Sequence, residues 1–171
     1  MQVQIRVEAS GEEKAIRAVN EAAFGGPGEA ELVDALRAAG KVTLSLVAES
    51  EGLVAGHILF TPVQVIPERE EAWLAVALGP MAVLPALQGQ GIGSQLVDAG
   101  LERCRALGEQ IVFVLGHPAF YRRFGFVPAA ACGIDSQYKA GDAFMVAELA
   151  EGALAGRRGS IRYDPAFDDV S

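Results

Sequence analysis

Residues 84–94 read Leu84-Pro85-Ala86-Leu87-Gln88-Gly89-Gln90-Gly91-Ile92-Gly93-Ser94, and this stretch decides how the rest of the chain is interpreted. Three glycines alternate with single residues, directly after a segment typical of a strand and directly before one typical of an amphipathic helix. Because glycine accepts positive φ and has no Cβ, the main chain can curl closely around a ligand. The free N–H groups of the first helical turn and the helix dipole then favour an anion inside that curl. The stretch predicts a phosphate-binding loop, with a purely structural turn as the alternative.

Two common phosphate-binding motifs do not fit this loop. A P-loop carries Lys-Ser/Thr directly after its last glycine, whereas Ser94-Gln95 follows Gly93 here. The dinucleotide fingerprint Gly-x-Gly-x-x-Gly belongs to a βαβ unit, whereas this loop has the spacing Gly-x-Gly-x-Gly and follows a predicted antiparallel hairpin. The pattern that fits is Gln-x-x-Gly-x-Gly, formed by Gln88, Gly91 and Gly93.

The chain on either side of the loop predicts a mixed α/β fold in a single domain over residues 1–171, because no repeat, low-complexity segment or long linker divides it. Ser10 and Glu13 have the spacing of a capping box at the start of the first helix, and Gly25-Gly26-Pro27-Gly28 ends that helix. The elements predicted besides this helix are a strand at 3–7, a helix Glu29–Ala39, strands Thr43–Glu49, Leu53–Val65 and Ala72–Val83, a helix Ser94–Leu107, a strand Gln110–Leu115, and late strands Phe144–Leu149 and Ser160–Tyr163. This order favours a mixed sheet covered by helices over an all-parallel sheet.

Composition narrows the class of protein. Hydrophobic residues make up 51% and charged residues 21% of the 171 residues, which is typical of a globular domain. The formal charge of -8 argues against nonspecific nucleic-acid binding, which depends on lysine and arginine. No apolar stretch is long enough to span a membrane and the N-terminus has no signal-like segment, so we expect a cytoplasmic protein without a membrane partner. Cys104 and Cys132 are the only cysteines and only two histidines occur, so we expect no disulfide framework and no metal site.

Three motifs in order resemble the GNAT superfamily of N-acetyltransferases, and the resemblance covers nearly the whole chain. The loop matches the family's pyrophosphate loop, Arg/Gln-x-x-Gly-x-Gly/Ala, at the head of a long helix. Leu78-Gly79-Pro80-Met81-Ala82-Val83 precedes it, and Leu115-Gly116-His117-Pro118-Ala119-Phe120-Tyr121-Arg122-Arg123-Phe124-Gly125-Phe126 follows it, as in a subgroup of small acetyltransferases. The resemblance implies a GNAT-like acyl-CoA N-acyltransferase fold, with a central, mostly antiparallel sheet flanked by helices.

The resemblance also implies an activity and its participants. The acetyl group of acetyl-CoA, the co-substrate, would pass to a primary amine by direct attack in a ternary complex, with no metal. The acceptor would be a small molecule or a peptide, and relatives often form homodimers through the late strands. The alternative is a non-catalytic module on the same fold that binds acyl-CoA as a sensor or in an assembly.

Carried over residue by residue, the resemblance assigns the binding and acid roles. The main chain of the strand end would hydrogen-bond the pantetheine amides, between the limits set by Pro80 and Pro85, and a bulge there would aim an N–H at the thioester oxygen. Tyr121 would be the acid that protonates the leaving thiolate. Without the resemblance, a tyrosine among several phenylalanines favours packing in an aromatic core instead. The implied cofactor-binding residues are Met81, Ala82 and Val83 for pantetheine and Gln88, Gly89, Gln90, Gly91, Ile92, Gly93 and Ser94 for the pyrophosphate.

The general base stays open at this stage. The candidates are His57, a chain of waters, and glutamates of the loop before Ala72, namely Glu68, Glu70 and Glu71. Loop glutamates are usually solvated charges and a lone histidine is usually structural. His117 is interpreted as a neighbour of the cofactor. Arg122 and Arg123 are interpreted either as contacts to the ribose phosphate or as solvated surface groups.

Overall fold

A computed structural model describes residues 2–136 and 140–169. The chain divides into two compact units. Unit 1 holds the described residues up to Thr61, Gly79–Gly100 and those from Pro165 onward, and unit 2 holds Pro62–Leu78 and the described part of Leu101–Asp164. The helices are α1 Glu13–Phe24, α2 Gly28–Ala38, α3 Ile92–Ala106 and α4 Pro118–Tyr121. The strands are β1 Val3–Val7, β2 Leu44–Ser50, β3 Leu53–Ile66, β4 Trp73–Val83, β5 Ile111–Leu115, β6 Val127–Pro128, β7 Ile134–Ser136, β8 Phe144–Glu148 and β9 Gly159–Arg162.

In unit 1, β1, β2 and β3 pair antiparallel in that order. The hairpin between β2 and β3 turns through Glu51 and Gly52, whose φ angles of 52° and 77° are both positive, as in the tight turns that suit twisted hairpins. The N–H of Leu84 donates to the carbonyl of Ala55 at 2.9 Å, which ties the residue after β4 to β3. The predicted hairpin is confirmed, and its strand β3 is bonded to the first residue of the loop 84–91.

Alternate residues of β3 face opposite sides of this sheet, as the period of a strand requires. On one side Leu59 joins an apolar cluster with residues of α1 and α2, and Phe167 of the C-terminal segment packs against it. On the other side α3 lies so close that a Cβ built on Gly100 would be 2.5 Å from Cζ of Phe60. A Cβ built on Gly56 would be 3.1 Å from Cδ1 of Leu96 in α3 and 3.1 Å from the Ala82 carbonyl oxygen. These two glycines therefore fix the height of α3 above β3, and with it the start of the helix.

Several further strand pairings lie in unit 2. β4 runs parallel to β5, while β8 pairs antiparallel with both β5 and β6. The last residues of β3 pair antiparallel with β9, which runs parallel to β7. The fold is thus mixed α/β with a mostly antiparallel sheet flanked by helices, as predicted. One domain over 1–171 stays a prediction. Strands β3 and β4 each contribute residues to both units.

Two local details differ from the sequence-based expectation. Helix α1 begins at Glu13 with Glu12 at its N-cap, and no side chain caps it, so the Ser10–Glu13 capping box is wrong. The Glu12 carboxylate instead pairs with Arg6 at 2.7 Å and accepts a hydrogen bond from the Ala9 N–H at 2.6 Å. Pro80 does not limit β4, because the strand continues through it to Val83 after a cis Gly79–Pro80 bond.

Candidate active site

The glycine-rich loop has the backbone that was predicted for it. Gly89 and Gly91 have φ angles of +77° and +86°, in the left-handed region that favours glycine. A Cβ at either position would meet nothing within 4 Å, so conformation and not space requires glycine there. Gln88–Gly91 are exposed. Left-handed residues in such a turn direct successive N–H groups into a concavity that suits anions.

Helix α3 starts at the end of this loop, at Ile92. The first bond of the helical pattern runs from the Gln95 N–H to the Gly91 carbonyl at 3.1 Å, so the preceding N–H groups have no acceptor within the helix. Ile92 is 1% exposed and anchors the turn in the core, whereas Gly91 is exposed. The turn Ile92–Gln95 carries no acidic side chain, so nothing in it opposes an anion at the positive end of the helix dipole.

Gln88 braces the loop against the end of β4. Its side-chain Nε2 donates to the Val83 carbonyl at 3.0 Å, and its N–H donates to the Pro85 carbonyl at 3.4 Å across a single 3-10 turn, Pro85–Leu87. The side-chain amide is thus engaged by the protein. Of the residues predicted to bind cofactor, Gln88 has a visible structural task as well.

The strand end predicted to bind pantetheine lies beyond the pairing of β4 with β5. That ladder runs from Val76 to Leu78, and Met81–Val83 follow it. Ala82 is buried and its carbonyl faces Gly56, while Met81 and Val83 are half-buried. The structure therefore gathers the end of β4, the loop and the start of α3 in unit 1, and the hydrogen bonds from this strand to pantetheine stay a prediction.

Tyr121 belongs to unit 2 and ends the short helix α4. Its side chain is 7% exposed, and its ring meets the rings of Phe120 and Phe126 edge-on, with centroids at 4.9 Å and 5.6 Å. Burial raises the pKa of the phenol to about 12, so the hydroxyl keeps its proton throughout the neutral range. Tyr121 therefore packs among phenylalanines, as its neighbours in the sequence favour, and its buried hydroxyl is protonated.

His57 lies in a closed network in the core of unit 1. Its Nε2 is 2.9 Å from Ser45 Oγ and its Nδ1 is 3.3 Å from Asn20 Nδ2, which also donates to the Ile16 carbonyl. Because Asn20 Nδ2 is a donor, Nδ1 accepts and Nε2 carries the proton. Burial, with the positive charge of Arg37 second, lowers the pKa of His57 to about 3. This arrangement fits a structural histidine and leaves no open nitrogen for a substrate.

The remaining base candidates are exposed. Glu68, Glu70 and Glu71 precede β4 on an exposed loop, whereas Met81–Val83 end that strand. None of the eleven residues of β4 has a titratable side chain. Water therefore stays a candidate for the base.

The residues around Tyr121 have different surroundings. His117 is exposed, and its carbonyl accepts the N–H of Tyr121 at 3.1 Å. Arg122 and Arg123 are both exposed, and Arg123 also lies over the Phe120 ring at 4.8 Å from the centroid and donates to the Phe120 carbonyl. Arg123 is therefore tied to the aromatic cluster and is not simply solvated.

The sequence interpretation missed the glycines that set close contacts, Gly56, Gly100 and Gly116. A glycine inside a strand pattern, as at Gly56, can signal close approach of another backbone. Among the described residues no cluster of His, Cys, Asp and Glu could hold a metal ion. None of the helices in the described ranges combines the length and apolarity that crossing a bilayer requires.

The family model "Acetyltransferase (GNAT) domain" matches residues 42–128 of this chain. The chain therefore belongs to the GNAT N-acetyltransferases. An uncharacterized N-acetyltransferase of Escherichia coli K12, YhbS, is 39% identical over 166 residues, which is 96% of this chain and 98% of YhbS. The crystal structure of E. coli YhbS in complex with CoA superposes with a TM-score of 0.92 at 37% identity, covering 100% of this chain and 94% of that one.

Two further relatives are also acetyltransferases by name. A GNAT family acetyltransferase from Brucella melitensis, in complex with acetyl-CoA, gives a TM-score of 0.79 at 39% identity and covers 98% of this chain and 99% of its own. A second E. coli K12 protein, the uncharacterized N-acetyltransferase YjhQ, is 44% identical over 117 residues. That match spans 67% of this chain and only 64% of the length of YjhQ.

Proposed function

We propose that this GNAT protein transfers the acetyl group of acetyl-CoA to a primary amine, by direct attack of the amine in a ternary complex. The observation that carries the proposal is the loop 88–94, in which the exposed, left-handed Gly89 and Gly91 come directly before a helix start that bears no acidic residue. The relatives in complex with CoA and with acetyl-CoA support the same ligand.

The residues present fit such a ligand. Main-chain N–H groups of the loop and of the first turn of α3 would hold the pyrophosphate, because they lie at the positive end of the helix dipole, where N–H groups point outward. Met81, Ala82 and Val83 would offer the strand edge to the pantetheine arm. When bound, the thioester supplies the activated acetyl group.

Tyr121 would supply the proton that the reaction needs as the amine–carbonyl bond forms and the carbon–sulfur bond breaks. A phenol with a pKa of about 12 gives its proton uphill to an ordinary thiolate, whose conjugate acid has a pKa near 8.5. Desolvation raises both values, so a sulfur held in the same dry surroundings would narrow that gap. The acceptor would attack as the neutral amine, and the proton that its nitrogen loses after the attack would return through water to the tyrosinate.

Calorimetric titration with acetyl-CoA, combined with thiol release on a panel of amines, tests the proposal. We expect binding, and thiol release with at least one of a polyamine, a free amino acid and a peptide N-terminus. Binding without release on any amine would favour a non-catalytic acyl-CoA sensor. Absence of binding would contradict both functions.

Tyr121→Phe tests the acid role. We expect kcat to fall about tenfold or more while the Kd for acetyl-CoA stays nearly unchanged, because a proton donor contributes to the transition state and little to ground-state binding. Tyr163→Phe, at another buried tyrosine, is the matched control and is expected to keep its kcat. Equal turnover in Tyr121→Phe and the native protein would remove Tyr121 from the mechanism.

The cytoplasmic location and the homodimer remain predictions from the sequence. Sedimentation equilibrium tests the second: a mass of two chains would support it, and a mass of one chain would contradict it.

A further inference from the structure

Gly116 lies against the ring of Tyr121 with no room for a side chain. A Cβ built on Gly116 would be 2.9 Å from Cδ2 of Tyr121, and closer still to Cε2. Real Cβ atoms essentially never approach another heavy atom within 3.0 Å, so an added methyl group would force a movement. The φ angle of Gly116 is not in the left-handed region, so its backbone accepts an L side chain and the obstacle is steric alone.

Neither partner can easily retreat. The Gly116 N–H donates to the Ala143 carbonyl at 3.0 Å, directly after the Leu115–Phe144 pair of the β5/β8 ladder. This bond holds the Gly116 main chain in line with the sheet. Tyr121 is held by its own N–H, which donates to the His117 carbonyl at 3.1 Å.

The aromatic neighbours also hold the ring. Phe120 meets Tyr121 at an interplanar angle of 88° and Phe126 at 72°. Close-packed interiors relax only partly when a methyl group is inserted. An alanine at 116 would therefore turn or push the Tyr121 ring until carbon–carbon distances returned to about 3.5 Å or more, which moves the hydroxyl by about 1 Å.

We propose that Gly116 is a positioning residue, which sets where the Tyr121 hydroxyl stands during acetyl transfer. The inference rests on the proposed role of Tyr121 as the acid. Proton transfer depends steeply on geometry, and a displacement of about 1 Å can lower a rate about 100-fold. Gly116 itself offers no group to the substrate and acts only through the ring beside it.

A double-mutant cycle on the full chain separates this role from a general loss of stability. Gly116→Ala, Tyr121→Phe and the double variant are compared with the native protein by kcat, by KM for acetyl-CoA and by Tm. Gly28→Ala is the matched control, since a Cβ there meets nothing within 4 Å and the φ of Gly28 is not left-handed. The phenyl ring of Tyr121→Phe meets the same obstacle at 116, so both backgrounds carry the same steric insult.

We expect Gly116→Ala to lower kcat about 10- to 100-fold with KM for acetyl-CoA within about twofold. In the Tyr121→Phe background the same substitution is expected to change kcat less than about twofold, because no proton donor remains to be misplaced. Gly28→Ala is expected to match the native kcat. If Gly116→Ala lowers kcat equally in both backgrounds, the role is structural and the inference is overturned.

The outcome also distinguishes this inference from the acid role. If Tyr121→Phe lowers kcat and Gly116→Ala does not, the inference alone is wrong. If Tyr121→Phe leaves kcat unchanged, the acid role fails and takes the inference with it. Should Gly116→Ala not fold, Phe126→Leu removes another support of the ring without an overlap. It is expected to lower kcat only where Tyr121 is present, and an equal fall without Tyr121 would overturn the inference.

Discussion

Replacing Gly91 by alanine perturbs the proposed pyrophosphate loop at the residue where its backbone is most demanding. Gly91 has a φ of +86° and open space around its Cα, so an added methyl group strains the backbone without a clash. Holding an L residue in the left-handed region costs about 1–2 kcal/mol. The loop is exposed and can relax in the free protein, so most of this cost falls on the bound state. Since 1.4 kcal/mol is a factor of ten, the Kd for acetyl-CoA is expected to rise about 5- to 30-fold.

Calorimetric titration of Gly91→Ala measures that rise, and Gly25→Ala is its control. Gly25 has a φ of +73°, also has open space, and lies in the same unit at the end of α1. The backbone strain is therefore similar, but it lies outside the loop. Gly25→Ala is expected to lower the free energy of unfolding by about 1 kcal/mol and to leave the Kd unchanged. An unchanged Kd in Gly91→Ala, or equal losses of affinity in both variants, would refute the reasoning.

Three further results are expected. The pKa of Tyr121 is raised from 10.0 to about 12, so the unfolded chain ionises first and stability falls by about 1.4 kcal/mol per pH unit between those values; denaturant titration checks this, and Tyr121→Phe should show a shallower fall. The pKa of His57 is lowered from 6.5 to about 3, so the stability present above pH 6.5 is lost as the pH falls toward 3; parallel acid-unfolding curves for the native protein and His57→Gln would contradict it. Gly100→Ala would bring Cβ to 2.5 Å from Cζ of Phe60 and should lower the free energy of unfolding by about 1–3 kcal/mol; adding Phe60→Leu should recover part of the loss, and simple additivity would count against the overlap.

Much of the fold is readable because local patterns and long-range packing agree. The strand at 3–7, the hairpin at Glu51-Gly52 and the glycine stop after α1 each have a local cause, and the structure contains all three. The start of α1 differs from the prediction, since the helix begins at Glu13 with Glu12 at its N-cap, and the Glu12 carboxylate binds Arg6 of β1. The spacing of Ser10 and Glu13 alone does not show whether their side chains form a cap.

The candidate site also has one part that local sequence predicts and another that depends on contacts between distant residues. The loop was predictable, since positive φ at Gly89 and Gly91 is a property of glycine in that spacing. The surroundings of His57 were not, because Asn20 and Ser45 reach it from α1 and β2. Gly116 likewise gains its meaning only from the ring of Tyr121 beside it. Contacts between distant residues decide these roles, and a single sequence does not reveal them.

The central claim is that main-chain amides of residues 88–94 hold a pyrophosphate. Amide NMR shifts of ¹⁵N-labelled protein test it most directly, with CoA as one titrant and pantetheine, which lacks the pyrophosphate, as the other. We expect the amide signals of Gly89, Gly91 and Gly93 to move strongly with CoA and little with pantetheine. If CoA binds and these three signals stay in place, another part of the molecule holds the pyrophosphate and the account is contradicted.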